Sequence, residues 1–123
     1  MVISSKFGEV PCLTLAEYEA QLKSSLFASP GNEIWCYRQE GQDFPCLSIL
    51  VKDTKAVVNY FSEDNGQMFA SLGDLSQEGL ACFENGKYEV AAYQVIQPQS
   101  ALECALHFFR SPEKPSCIQW EEL

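Results

Sequence analysis

Positive charge is scarce in this chain. Eight Lys plus Arg stand against seventeen Asp plus Glu, a formal net charge of −9, and histidine occurs once, at His107. Nucleic-acid binding draws most of its affinity from Lys and Arg releasing phosphate counterions, so no direct nucleic-acid partner is expected. An anionic membrane surface repels such a chain for the same reason. No run approaches the ~18 apolar residues of a membrane span. The stretch from Met1 to Pro11 holds Lys6 and Glu9 and lacks the apolar core of a signal peptide. The expectation is a cytoplasmic protein with no membrane partner.

Catalytic signatures are missing too. G-x-S-x-G, the Walker loop, G-x-G-x-x-G and H-E-x-x-H do not occur. A zinc deaminase needs a histidine two residues before a glutamate, then Pro-Cys-x-x-Cys. Pro11-Cys12 and Pro45-Cys46 begin such a run, but Leu15 and Ile49 stand where the second cysteine belongs. His107, in "ALHFFR", falls off the apolar stripe of its helix and reads as a surface residue. The neighbouring acids Glu63-Asp64, Glu121-Glu122 and Asp74/Glu78 lie in turns or at the tail, where solvated charge is the default rather than glycoside chemistry. No enzyme activity, cofactor or metal is expected.

Cysteine is present six times, at 12, 36, 46, 82, 104 and 117, with no C-x-x-C spacing. Each has apolar company, as in Trp35-Cys36-Tyr37 and Ala81-Cys82-Phe83. The pattern reads as reduced, buried thiols rather than a disulfide framework or a zinc site.

The 123 residues, 46% apolar, suffice for an ordinary core and read as a single domain over 1–123. Thr14-Leu15-Ala16-Glu17 is a capping box, with Leu13 and Tyr18 placed for a hydrophobic staple. Leu15, Tyr18, Leu22 and Leu26 continue one apolar face, so a helix is predicted over 14–28, ended by "SPGN". Strands are predicted at 32–39, with Ile34, Cys36 and Arg38 facing opposite to Trp35 and Tyr37, at 46–51 as a central strand, at 56–61 and at 67–72. Asn65-Gly66 and Asn85-Gly86 are hairpin turns, the second joining 79–84 to 87–96. Ser100-Ala101-Leu102-Glu103 is a second capping box, opening a helix striped by Leu102, Ala105, Leu106 and Phe109 and stopped at Ser111-Pro112. Cys117 to Trp120 fits a last strand, with Trp120 largely buried in the sheet or against the last helix and Glu121 and Glu122 in water. The fold class is α+β: an antiparallel meandering sheet of about six strands with two helices packed on one face.

These acids make more sense as a binding surface. Turns at a sheet edge carry Glu40, Asp43, Glu63, Asp64, Asp74 and Glu78, and Trp35 and Tyr37 add aromatic anchors of the kind found at interface hot spots. A basic protein partner would be drawn quickly to such a field. A regulatory or scaffold interaction domain is one reading of this surface; core packing is the competing role for the two aromatics.

Three stretches resemble the immunity protein 1 family of bacterial polymorphic toxin systems: "FPCLSILVKDTKAVVNYF", "GQMFASLGD" and "YQVIQPQSALECALHFFRSPEKPSCIQWEEL". Together they cover roughly residues 44–123, and the predicted helix at 14–28 matches the family's leading helix loosely. The chain departs from the family pattern at Ile96-Gln97-Pro98 and at Pro112-Glu113-Lys114-Pro115. The resemblance implies a cytoplasmic antidote that blocks a cognate toxin protein by tight binding; a monomer or weak homodimer is expected. Such antidotes are often encoded beside a nucleic-acid deaminase toxin. A toxin that handles nucleic acid presents a positive cleft, and an acidic protein can fill it.

Overall fold

The computed structural model describes residues 1–28, 30–62 and 66–123. The chain forms, in order, strands β1 (Val2–Ser5) and β2 (Gly8–Pro11), helix α1 (Leu15–Phe27) and strands β3 (Gly31–Tyr37), β4 (Cys46–Lys52), β5 (Lys55–Phe61) and β6 (Met68–Leu72). A hairpin of β7 (Leu80–Phe83) and β8 (Tyr88–Ala91) follows. Next come a 3-10 turn (Ala92–Gln94), helix α2 (Pro98–Arg110) and strand β9 (Gln119–Glu122). Seven strands make one antiparallel sheet in the order β2-β1-β3-β4-β5-β6-β9, and β7 and β8 pair only with each other. The class is α+β, as expected. The first hairpin was not expected, and β7–β8 stands apart from the sheet it was expected to join.

Thr14 caps α1 as its sequence predicts, its hydroxyl accepting from the Glu17 N–H at 3.1 Å. The staple does not form: Leu13 is 86% exposed while Tyr18 is buried. Helix α2 starts two residues before the expected cap. Its N-cap is Gln97, without a side-chain bond, and Pro98 occupies the first turn, where a missing N–H costs nothing. The buried stripe of α2 runs through Ala101, Leu102, Cys104, Ala105 and Phe108, so it is Phe108 rather than Phe109 that enters the core.

Both helices lie on one face of the sheet. There Ile34, Cys36, Leu47, Ile49, Val51, Val58 and Tyr60 meet Tyr18, Leu22, Leu26, Leu102, Ala105 and Phe108 in a continuous core. The Tyr18 hydroxyl donates to the Ala105 carbonyl at 2.9 Å, tying the helices together. Arg38 closes the far end of α2. Its guanidinium donates to the carbonyls of Phe108 and Phe109 and lies 5.7 Å from the Phe108 ring centroid, a favourable place for a cation beside the negative end of a helix.

Strands β5 and β6 pair only over Asn59–Phe61 and Met68–Ala70, then part. The 3-10 turn and the residues just after it fill the gap: Ala56 bridges to Ile96, and the Gly73 N–H donates to the Tyr93 carbonyl at 2.7 Å. A Cβ on Gly73 would sit 1.9 Å from the Val95 carbonyl oxygen, so only glycine fits. Ser71, fully buried, completes the seam. Its hydroxyl accepts from the Val58 N–H at 3.1 Å and donates to the Gln94 carbonyl at 2.7 Å.

The last strand meets one expectation and corrects another. Trp120 is largely buried against the helical side, as expected, edge-on to Tyr60 at 6.4 Å, and its Nε1 donates to the Pro115 carbonyl at 2.7 Å. Glu121 is not left in water: its carboxylate accepts from the Tyr93 hydroxyl at 3.0 Å and from Gln94 Nε2 at 3.0 Å. Four cysteines are buried as expected, whereas Cys82 and Cys117 are exposed. The cause is local: Cys82 takes the outward position of a two-stranded ribbon, and Cys117 lies just before β9.

Candidate functional site

The face of the sheet opposite the helices is covered only in part. Cys46, Val57 and Ala70 are buried on it by the strand register, and Phe83 of β7 is buried with about 1% exposure. The β7–β8 hairpin is anchored to this face by Glu33. The Glu33 carboxylate accepts from the Tyr88 hydroxyl at 2.7 Å and from Trp35 Nε1 at 3.1 Å, and Lys87 Nζ lies 3.8 Å away. Hydrogen bonding with Tyr88, then the Glu33 charge, raises the Lys87 pKa.

Beyond the hairpin the same face carries an aromatic ridge. Trp35 and Tyr37, two residues apart on β3, point the same way and stack at 6.4 Å with planes 9° apart. Phe61 of β5 also stacks with Trp35, at 5.6 Å and 26°. The register Tyr37–Cys46–Phe61 across β3, β4 and β5 sets this geometry. Cys46 is the small side chain between them. All three rings are half-buried.

Acids border the ridge. The loop after β3 brings Glu40 and Asp43 beside Tyr37, and Glu9 of β2 joins them around a depression of about 240 Å³. A second depression, about 290 Å³, lies beside Trp35 and is lined by Ser4, Glu33 and Glu84 together with one cation, Lys6. Burial, then the neighbouring Cys46 thiol and the Asp43 and Glu9 carboxylates, raises the Tyr37 phenol pKa. Burial and Asp43 push Cys46 up to about 11. Phe44, 48% exposed, adds an apolar side chain to the loop that carries Asp43. The surface therefore combines flat apolar rings with a border of negative charge, a combination that suits a partner presenting cations on an apolar surface.

Over 88 residues the chain is 33% identical to the double-stranded DNA deaminase immunity protein of Burkholderia cenocepacia (strain H111), a match covering 68% of this chain and 70% of that one. The chain belongs to that immunity-protein family. No protein-family model matches it.

The eight residues singled out in the sequence divide in this immunity-family fold. Trp35, Tyr37, Glu40 and Asp43 come together at one end of the open face. Asp74 and Glu78 follow β6, at the opposite end of the strands from the loop that carries Glu40 and Asp43. Asp74 caps its own turn: it accepts from the Ser76 hydroxyl at 2.6 Å and the Ser76 N–H at 3.0 Å, and the hydroxyl bond chiefly holds its pKa below the usual range. Glu63 and Asp64, with the Asn65 of the expected turn, lie outside the described residues. Sequence reasoning missed Glu9, Glu33 and Phe61. The alternation in "VNYF" carries a signal for Phe61, since it puts Phe61 on the face opposite Tyr60; nothing comparable marks Glu9.

Among the described residues, no helix is long and apolar enough to cross a membrane. Among the described residues, no group of three or more His, Cys, Asp and Glu is placed to hold a metal ion. His107 is exposed on α2, on the far side of the sheet from the ridge.

Proposed function

We propose that this chain neutralises a cognate toxin, a nucleic-acid deaminase, by seating its acidic open sheet face over the toxin's positively charged active-site cleft. The membership of a deaminase immunity family supports the class of partner. The observation that carries the mode of binding is the stacked Tyr37–Trp35–Phe61 ridge bordered by Glu9, Glu40 and Asp43. The rings supply rigid apolar area at low entropic cost, and the acids stand in for phosphates. Trp35, Tyr37, Glu40 and Asp43 are the central contacts. Asp74 and Glu78 reach only a partner long enough to span the strands, and Glu63 and Asp64 remain candidates. The protein acts as one domain in the cytoplasm, as a monomer or weak homodimer with no catalysis of its own, and the finer assignment to the immunity protein 1 family belongs to the same reading.

Stopped-flow mixing of the purified chain with its deaminase domain tests this. The association rate should fall at least ~10-fold between low and physiological salt. Glu40→Gln with Asp43→Asn should slow association, and Trp35→Ala should mainly speed dissociation. Failure to bind the deaminase overturns the function. Binding with a salt-independent rate, untouched by these substitutions, overturns the surface.

A further inference from the structure

Cys104 and Cys117 are thirteen positions apart in sequence, yet their sulfurs lie 3.5 Å from each other. Cys104 is fully buried on α2, and Cys117 is exposed in the segment that returns from α2 to β9. That segment is held at two carbonyls: Pro112 accepts from the Tyr60 hydroxyl at 2.8 Å and Pro115 from Trp120 Nε1 at 2.7 Å. The sulfur approach is thus fixed by the fold on both sides rather than left to a loose tail.

We propose that Cys104 and Cys117 form a reversible thiol–disulfide modification site, closed by a low-molecular-weight disulfide of the glutathione type. The Cys117 thiolate attacks one sulfur of the glutathione disulfide, whose S–S bond breaks and releases one glutathione thiolate. That thiolate takes up a proton. Cys104 then gives its proton to solvent and attacks Cys117 Sγ, expelling the second glutathione. Two protein thiols are oxidised to one disulfide, and one glutathione disulfide is reduced to two thiols.

Roles follow from exposure. The exposed thiol meets the reagent, and the buried one resolves the adduct at short range. Burial, then the neighbouring Cys117, raises the Cys104 pKa well above the usual thiol range; the burial persists in the adduct, where Cys117 no longer carries a thiol, so resolution quickens as pH rises. The bond closes the loop between α2 and β9 on the helical side of the sheet, away from the Trp35 ridge. Oxidation should therefore stabilise the fold by restricting the unfolded chain and leave the open face unchanged.

The test uses the full chain incubated with glutathione disulfide and followed by intact mass, peptide mapping and thermal melting. The expected result is loss of two hydrogens, a Cys104–Cys117 cross-linked peptide, reversal by dithiothreitol, and a Tm rise of roughly 10 °C in the oxidised form. Cys104→Ala should keep a glutathione adduct on Cys117. The exposed-site variant Cys117→Ser, which carries little risk to folding, should form no cross-link and show no rise in Tm. A wild-type chain that retains all its thiols, carries a lasting adduct on Cys117, or cross-links through other cysteines overturns the proposal.

Discussion

Replacing Ser71 with alanine removes one oxygen from the seam where β5 and β6 part, and two buried backbone groups depend on that oxygen. The Val58 N–H donates to it at 3.1 Å, and the Gln94 carbonyl accepts from it at 2.7 Å. Neither group has a strand partner there, because the β5–β6 ladder stops at Asn59–Ala70. An orphaned buried group costs about 1–3 kcal/mol. Two of them, the carbonyl being the more tolerant, put Ser71→Ala at ~2–4 kcal/mol, and the side chain shrinks by too little to add a large cavity term. Urea unfolding followed by tryptophan fluorescence and far-UV circular dichroism measures it, with the slope of ΔG against urea checked to be unchanged. Hydrogen exchange should also show the Val58 amide losing protection more than its β4-paired neighbours. A stability change below ~0.5 kcal/mol would mean that the seam is closed by packing and not by this hydroxyl.

Four further outcomes are expected. Trp120→Ala should cost ~3 kcal/mol, less than a sealed core tryptophan, through partial burial, the lost contact with Tyr60 and the lost bond to Pro115; a Tm within a degree of wild type refutes it. Gly73→Ala should destabilise by several kcal/mol, since backbone must move out of the 1.9 Å contact, and thermal melting checks this. Glu33→Gln should loosen the β7–β8 hairpin with little loss of global stability, read as faster exchange of β7–β8 amides while the helices keep theirs. The Cys36 thiol, pushed by burial from 9.0 to about 12, contributes stability that is complete below pH 9 and lost as pH rises through 12. The loss is about 1.4 kcal/mol per pH unit in that window, so Cys36→Ala should flatten the alkaline limb of a stability–pH profile.

The helices and the four central strands were legible because each repeats one period long enough to be read and ends at a glycine, a proline or a turn. The N-terminal hairpin was not. "VISS" and "GEVP" are four residues each and half polar, and they become strands only because β3 offers an edge to Ile3. The separation of β7–β8 was invisible for a related reason: a hairpin's own turn says nothing about whether its outer edge finds a further strand. At α2, Ser100 looked like a cap, yet Pro98 starts the helix earlier because its fixed φ suits the first turn. The site was half legible. Trp35 and Tyr37 were placed by alternation, and Glu40 and Asp43 by following the same strand. Glu9 and Phe61 reached them through pairings between distant segments, which local pattern does not encode.

The two faces of the sheet impose unlike demands on change. On the helical side every side chain is wedged against another, so alteration there trades against folding itself. Among the described residues the ridge on the other side is only half-buried and its acids Glu40 and Asp43 are exposed, so they carry less of the packing than the layer beneath. Under the proposed mode of binding, a lineage built on this plan would retarget its partner in small steps without first acquiring spare stability.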